Sequence, residues 1–237
     1  MISVVTWNVE WRKPGSRDGD LIRDRMQQCS PDIVCLTEGH AGFFDGWGGF
    51  VAEGASDWGG ATHETRRKVM LWSRRPWTKA DTLGAPELPP GRFIKAETET
   101  SLGSVTVMGL VIPYHLANVS SGRRDRRMWD EHRQYLEALP NLTAALPARS
   151  LVLGDLNQRI PSSWVPRRYQ TMLATAFAPL RIATTDLRGP DGRLLVDHIA
   201  CGPGLRASDA RMISNLDDLG QTISDHCGVT VTLDGLR

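Results

Sequence analysis

The stretch "LVLGDLNQR", residues 151–159, begins as an apolar run and then breaks at a glycine into Asp155 and Asn157. A short apolar run that stops at a glycine is typical of a buried β-strand. Acid and amide side chains cost free energy to bury without partners, so their place at the end of such a strand needs a reason. Residues two apart in an extended chain point the same way. We therefore predict that this strand delivers both side chains to one functional site.

Similar β-rich runs recur along the chain, and three helical patterns lie between groups of them. The other runs are 3–7, 32–38, 69–73, 92–100, 104–112, 194–202 and 227–233, and the helical patterns are 18–29, 124–139 and 167–178. Some runs alternate and others are continuously apolar, which is typical of strands buried on one or both faces. Strands thus outnumber helices, which favours an α+β fold of two sheets packed face to face with helices outside.

Two further segments have a predicted structure. "GPDG" (189–192) is typical of a turn that joins neighbouring strands, and "LP" (139–140) is a predicted helix stop. The glycine-rich stretch 39–61 predicts either a long surface loop that forms a substrate lip or two glycine-broken hairpins.

Composition sets limits on the class of protein. The chain has 237 residues, of which 41% are hydrophobic, so we expect one soluble domain over residues 1–237, acting as a monomer without an obligate protein partner. The formal net charge is only +1, so any basic surface is local. Four scattered cysteines show neither zinc-ligand spacing nor a disulfide framework. With no signal-like N-terminus and no apolar run of about 18 residues, we expect a cytoplasmic protein without a membrane span.

Polar side chains accompany β-like runs at six places along the chain. They are Asn8, Glu38, His115, Asp155 with Asn157, Asp197 with His198, and Asp225 with His226. Each alone is more often a turn former than a site residue. Functional residues commonly lie where rigid strands feed into loops, so six such places predict a shared rim.

The motifs "TWN", "LTE", "IPYH", "GDLN", "VDHI" and "SDH", in this order from Asn8 to His226, resemble the endonuclease/exonuclease/phosphatase superfamily. "VMLWSRRPW" (69–77) is also similar to a strand of that family. The resemblance covers nearly the whole chain. It implies the DNase I-like four-layered α/β sandwich, with two mostly antiparallel sheets, a Mg²⁺ or Mn²⁺ cofactor and hydrolysis of phosphoester bonds.

The resemblance also implies a metal site. Glu38 would be the first ligand, Asn8 lies adjacent, and Asp225 would support the same or a second ion, with Asp155 close by. Carboxylate and amide oxygens suit Mg²⁺, and a hard cation helps because the transition state gathers negative charge on the phosphate oxygens.

Catalytic roles follow from the same resemblance. Asp155 would orient and deprotonate the attacking water, and Asn157 would donate its amide hydrogens to the developing oxyanion. His226 would touch the scissile phosphate while Asp197 holds its ring. His115 is similar to the histidine of DNase I-like and sphingomyelinase-like branches, an acid or phosphate ligand, which makes an abasic-site specialist less expected. His198 is predicted to be structural, because neighbouring residues on a strand face opposite ways.

Three arginines are candidates for substrate phosphate contacts. Arg123 and Arg127 lie in "SGRRDRRMW" (121–129), which predicts either a backbone-phosphate contact or a solvated helix face. Arg159 follows "GDLNQ" as in inositol-polyphosphate 5-phosphatases, but the second signature of those enzymes is absent.

These observations predict a Mg²⁺-dependent phosphodiesterase, foremost an endonuclease or exonuclease with DNA or RNA as its partner. The alternatives are a phosphatase or phospholipase-like hydrolase of inositol phosphates, lipids or other small phosphoesters, and a nucleic-acid-binding module that kept the fold and lost catalysis.

Overall fold

The computed structural model describes residues 1–58, 63–119 and 127–236, and those ranges contain twelve strands in two six-stranded sheets. The first sheet has the order β11 (Leu205–Ile213), β12 (Gly228–Gly235), β1 (Ile2–Asn8), β2 (Ile33–His40), β4 (Arg66–Ser73) and β3 (Phe50–Glu53). The second has the order β5 (Trp77–Asp81), β6 (Phe93–Thr100), β7 (Gly103–Val111), β8 (Ser150–Asp155), β10 (Asp197–Cys201) and β9 (Arg181–Ile182). Each sheet is antiparallel except for one central parallel pair, β1 with β2 and β7 with β8.

The predicted layers are confirmed. Val4, Leu71, Val107 and Leu153 belong to one buried cluster that fills the space between the sheets. Each such side chain contributes roughly 1.5–3 kcal/mol relative to its exposed state, which is why the sheets stay face to face.

The helices form the outer layers. The helix α1 (Arg17–Gln28) packs Ile22 and Met26 on the outer face of the first sheet, and Ser16 caps its start by accepting from the Gly19 amide at 3.2 Å. Helices α2 (Asp130–Ala144) and α3 (Arg167–Ala176) cover the outer face of the second sheet.

Helix α2 differs from its prediction over 124–139. It begins at Asp130 and continues through Pro140 to Ala144, so the predicted stop at "LP" is wrong. Proline removes one helical hydrogen bond, but the turn beyond it is held by packing. Thr143 is buried there and its hydroxyl donates to the carbonyl of Ala176 on α3 at 2.6 Å.

Four strands were not predicted, namely β3, β5, β9 and β11. Strand β11, "LRASDARMI", is largely exposed along its middle, so its charged residues hide the strand pattern. The predicted strand 194–202 is shorter than expected, since β10 begins at Asp197. "GPDG" forms a turn closed by the Gly192 amide on the Gly189 carbonyl, and it joins an isolated bridge between Arg188 and Leu194 rather than two strands.

Residues 59–61 of the glycine-rich stretch 39–61 lie outside the described residues, and the remainder, 39–58, is only partly a surface loop. Strand β2 runs into it as far as His40, and β3 occupies Phe50–Glu53. Phe43 and Phe44 are buried in the outer core of the first sheet, so this part of the stretch packs against the protein rather than forming a lip.

Among the described residues, no helix is long and apolar enough to cross a bilayer.

Candidate active site

Polar residues from both sheets meet at one rim of the sandwich. Asn8 ends β1, Glu38 lies near the end of β2 and Asp155 ends β8. Asp197 begins β10 and His226 precedes β12, so "LLVDH" and "SDH" precede strands rather than ending them as the sequence predicted. Because β10 and β12 run antiparallel to β8 and β1, their starts lie at the same rim. Asp197 is directly opposite Asp155 in the ladder.

Asp155 is buried, 2% exposed, and holds three hydrogen bonds. Its Oδ1 accepts from the main-chain amide of Asn157 at 2.8 Å, and its Oδ2 accepts from the side-chain amides of Asn157 at 2.9 Å and Asn8 at 3.2 Å. Burial raises the pKa of Asp155 to about 7; the charge of His226 opposes the rise and that of Asp197 adds to it. The carboxyl group therefore titrates near neutral pH, where a general base works best.

Asp197 and His226 form a buried pair beside Asp155. Oδ2 of Asp197 lies 2.5 Å from Nδ1 of His226, and its Oδ1 accepts from the main-chain amide of Asn8 at 3.1 Å. The Ser224 hydroxyl donates to the Asn8 carbonyl at 2.8 Å and accepts from the His226 amide at 3.2 Å. Trp7 donates its indole N–H to the His226 carbonyl at 2.8 Å. These bonds fix the orientation of the imidazole ring.

The His226 ring is cationic at neutral pH. Burial alone would lower its pKa, but the carboxylates of Asp197 and Asp155 outweigh burial and raise the pKa to about 10. Nδ1–H is held by Asp197, while Nε2 lies 3.8 Å from Oδ1 of Asp225. An imidazolium held at one nitrogen can donate from the other to an anionic ligand.

A group of carboxylates lies on the first-sheet side of the site. Glu38 has a φ of 52°, and Oε1 accepts from Nζ of Lys68 at 2.5 Å. A left-handed backbone at a non-glycine residue costs roughly 1–3 kcal/mol and is common at functional sites. Glu10 accepts from the main-chain amide of Asp225 through Oε2 at 3.1 Å. Desolvation raises the pKa of Asp225 and His226 opposes it, while Glu10 and Glu38 raise it further, which places these three acids near one another.

The donor set fits a hard divalent cation. Ligand atoms of Asp155, Asp197 and His226 lie within 4.8 Å of one another, a group that can hold a metal ion. However, a charged imidazole that hydrogen-bonds a carboxylate is a poor ligand, because a ligating histidine must be neutral. Oxygen atoms of Glu38 and Asn8, next to this group, are the type that Mg²⁺ and Mn²⁺ prefer.

An open cleft of about 600 Å³ leads to the site. The predicted site residues that line it are His115, Asn157, Arg159, Asp197, Asp225 and His226. Asn8 and Asp155, each 2% exposed, lie beneath its floor. A substrate in the cleft would therefore meet His115 on one wall and His226 at the base.

The three predicted arginines are placed differently. Arg159 lines the cleft, and its Nε donates to the carbonyl of Leu194 at 2.9 Å. Arg127 is exposed just before α2, where its main-chain amide donates to Oδ2 of Asp130 at 2.9 Å, and it is not part of the cleft wall. Arg123 lies outside the described residues. Of the two predicted arginines that the structure describes, Arg159 is thus the one adjacent to the candidate site.

The side-chain amide of Asn157 already has partners for both hydrogens. Nδ2 donates to the carbonyl of Ile112 at 2.9 Å and to Oδ2 of Asp155 at 2.9 Å. Its φ of 50° turns the backbone so that its own amide also reaches Asp155. Asn157 therefore positions Asp155, and the prediction that it donates to an oxyanion requires the release of one of these bonds.

A buried network beneath the site was missed by sequence reasoning. Nδ1 of His132 lies 2.7 Å from the Pro113 carbonyl, and Nε2 lies 2.8 Å from Nε2 of Gln158. On the other side of Gln158, its carbonyl is 3.2 Å from Nε2 of His198, whose Nδ1 bonds Thr184. Burial lowers the pKa of both histidines to about 4, so both are neutral. The network joins the segments that carry His115, Asn157 and Asp197.

Glu10 and Lys68 were also missed. The only sequence signal for Glu10 is that it stands two residues beyond Asn8, and it follows the end of β1 with a φ of 49°. Lys68 is 30 residues from Glu38, and only the antiparallel pairing of β2 with β4 brings them together.

Together, the two six-stranded sheets packed face to face and the rim of acids and histidines are those of the DNase I-like fold. Residues 5–226 match the Endonuclease/Exonuclease/phosphatase family, and the chain belongs to that family. No curated protein sequence matches the chain.

Solved structures show the same fold. An AP endonuclease from Archaeoglobus fulgidus is 17% identical over 99% of this chain and 100% of its own, with a TM-score of 0.72. The 3' phosphatase NExo from Neisseria, bound to a product DNA hairpin, is 18% identical over 99% of this chain and 100% of its own, with a TM-score of 0.69. An endonuclease/exonuclease/phosphatase from Beutenbergia cavernae is 17% identical over 99% of this chain and 71% of its own, with a TM-score of 0.66.

Proposed function

We infer that this protein is a divalent-metal-dependent phosphodiester hydrolase, foremost a nuclease acting on DNA or RNA. The observation that carries the inference is the hydrogen-bonded set of Asp155, Asn157, Asn8, Asp197 and His226 at the base of an open cleft. It combines a carboxyl group that titrates near neutral pH with a fixed imidazolium, which are the groups that water attack on an anionic ester requires.

The residues divide the work of hydrolysis. The cationic His226 binds a non-bridging oxygen of the phosphate, and Asp197 keeps its ring oriented. Asp155 accepts a proton from the water whose oxygen forms the new bond to phosphorus. The P–O bond to the leaving group breaks, and the leaving oxygen takes a proton from His115 or from solvent. A cation held by Glu38 and Asn8, with Asp225 and Asp155 near it, would supply charge neutralisation on the phosphate oxygens.

Nucleic acid is the preferred substrate for two reasons. The cleft is open and carries Arg159 and Arg193, so a polyanion can lie across it. Three of the similar structures are named as an AP endonuclease, a 3' phosphatase with a DNA product and TDP2 with a single-strand DNA product. A small phosphoester is the second candidate substrate, because Arg159 also follows "GDLNQ" as it does in inositol-polyphosphate 5-phosphatases.

A substrate panel tests the proposal. Purified protein is incubated with Mg²⁺, Mn²⁺ or a chelator and with plasmid, single-stranded DNA, RNA, inositol phosphates and a simple phosphodiester. We expect metal-dependent cleavage of nucleic acid, lost in Asp197→Ala and kept in Asp209→Ala, since Asp209 is an exposed carboxylate paired with Arg211 on β11. Cleavage of inositol phosphates alone would select the second candidate, and cleavage of nothing with nucleic-acid binding intact would select the binding module.

A further inference from the structure

Exposed aromatic side chains form one wall of the cleft. Trp164 and Tyr114 line it, yet their side chains are 49% and 41% exposed. His115 lies between them, with ring centroids 5.1 Å from Trp164 and 5.8 Å from Tyr114. We call Tyr114, His115 and Trp164 the aromatic wall. A large apolar surface left open inside a functional cleft commonly marks a ligand contact.

The aromatic wall is held in place from behind. The ring of Trp129 lies 5.4 Å from His115 and 5.7 Å from Trp164, and it also stacks on Tyr169 at 4.7 Å with an interplanar angle of 20°. Tyr169 is buried in the core around α3. The Trp129 amide also donates to the His115 carbonyl at 2.7 Å. A continuous set of ring contacts therefore connects Trp164 to the core.

Trp129 adopts an unfavourable backbone conformation to fill this position. Its φ is 76°, a left-handed value that is uncommon for a bulky residue. Such conformations persist only where the surroundings hold them, and they are concentrated at ligand sites. The packing thus fixes the orientation of the aromatic wall before any ligand arrives.

The chemistry facing the aromatic wall selects the ligand. The guanidinium groups of Arg159 and Arg193 belong to residues that line the same cleft, and His226 lies at its base. The exposed ring of Trp164 in a cleft that also carries two arginines matches a nucleotide, whose base stacks while its phosphate is bound. In the interior of a duplex both faces of a base are covered by neighbouring bases, so next to an internal phosphate an unpaired base is the one that can offer a free face.

We propose that Trp164, with Tyr114, stacks on an unpaired nucleobase next to the scissile phosphate, so that the protein prefers single-stranded over fully paired nucleic acid. This rests on the proposed function, because the phosphate must lie at His226.

Binding measured without cleavage tests the stacking itself. With a chelator present, anisotropy of short fluorescein-labelled single-stranded DNA, single-stranded RNA and blunt duplex DNA gives affinities for wild type and variants. Trp164→Ala should weaken single-strand binding by about 5- to 150-fold, the range expected for loss of one base–aromatic stack. Trp164→Phe should retain most of the affinity. Phe50→Ala, which removes an aromatic ring 45% exposed on β3, should change nothing.

A base-free substrate separates this inference from the proposed function. An oligonucleotide with a tetrahydrofuran unit at the position next to the cleaved phosphate offers no ring to stack. The wild type should bind this oligonucleotide more weakly than the base-containing strand, and Trp164→Ala should not change its affinity for the base-free strand. Equal losses on base-containing and base-free strands, or a wild-type preference for blunt duplex, would overturn the stacking. Stacking-dependent binding without hydrolysis in Mg²⁺ or Mn²⁺ would instead overturn the proposed function alone.

Discussion

Replacing Asp155 by asparagine should lower the activity, and it should change the free energy of unfolding by an amount that depends on pH. Oδ2 accepts from the amides of Asn8 and Asn157, so an NH₂ group at this position would face two donors. Loss of these two bonds costs about 1 kcal/mol each, and more where the donors stay unsatisfied. Against this loss, the substitution removes a carboxylate whose ionisation is unfavourable in the folded protein.

The stability gained by removing this carboxylate follows from the pKa of Asp155, which burial raises from 3.8 to about 7. A raised carboxyl pKa means that the folded state binds more protons between these values, so the stability of the wild type falls as pH rises through that window. At pH 8 the cost has reached about 4 kcal/mol, and about 2 kcal/mol of it is already present at pH 5. Relative to wild type, Asp155→Asn should therefore gain about 2–3 kcal/mol of stability between these two pH values.

Urea unfolding followed by tryptophan fluorescence, in the presence of a chelator, measures this change. The same variant should lose about 10²- to 10⁴-fold in kcat/KM, the usual contribution of a general base. Asp209→Asn is the matched control, and it should change neither quantity because Asp209 is exposed on β11. An Asp155→Asn effect on stability that is equal at both pH values would refute the raised pKa. Activity above roughly a tenth of wild type would refute the role as base.

Three other substitutions test separate parts of the structure. Burial lowers the pKa of His132 to about 4, so below pH 6.5 the imidazole is protonated in the unfolded state before it is in the folded state, and the wild type loses stability. His132→Asn should remove about 2–3 kcal/mol of this loss between pH 7 and pH 4.5, measured by urea unfolding. Lys68→Met removes the ammonium group from Glu38, so the Mn²⁺ concentration for half-maximal activity should fall several-fold, and a rise would argue against Glu38 as a metal ligand. Gly154→Ala places a Cβ 2.0 Å from the Leu110 carbonyl at a φ of +136°, and it should lower the free energy of unfolding by more than about 2 kcal/mol in the same assay.

The sequence predicted the parts of the site that obey strand geometry. Asp155 and Asn157 follow an apolar run, and the period of an extended chain indicates that they act together. It also predicted the sandwich, because apolar runs between amphipathic helices leave few other arrangements. Both depend on local patterns that a single segment carries by itself.

The parts that escaped prediction depend on tertiary contacts. Glu10 reaches Asp225 through a left-handed turn after β1, and no periodic pattern describes that turn. The passage of α2 through Pro140 is stabilised by packing against α3, where Thr143 bonds Ala176, rather than by helix propensity. Strand β11 is an edge strand with charged residues facing solvent, so its sequence resembles a loop.

The site draws its groups from both sheets, and Asn8 connects them through its bonds to Asp155 and Asp197. A small sliding of one sheet over the other would misalign base and imidazolium while leaving each layer folded. Gly109 on β7 lies close against the first sheet, where an added Cβ would come within 2.9 Å of side-chain atoms of Val69 and Leu71. Random mutagenesis scored for lost turnover should consequently recover substitutions at interior positions far from the cleft. These variants should keep the elution volume and the light-scattering mass of the parent protein.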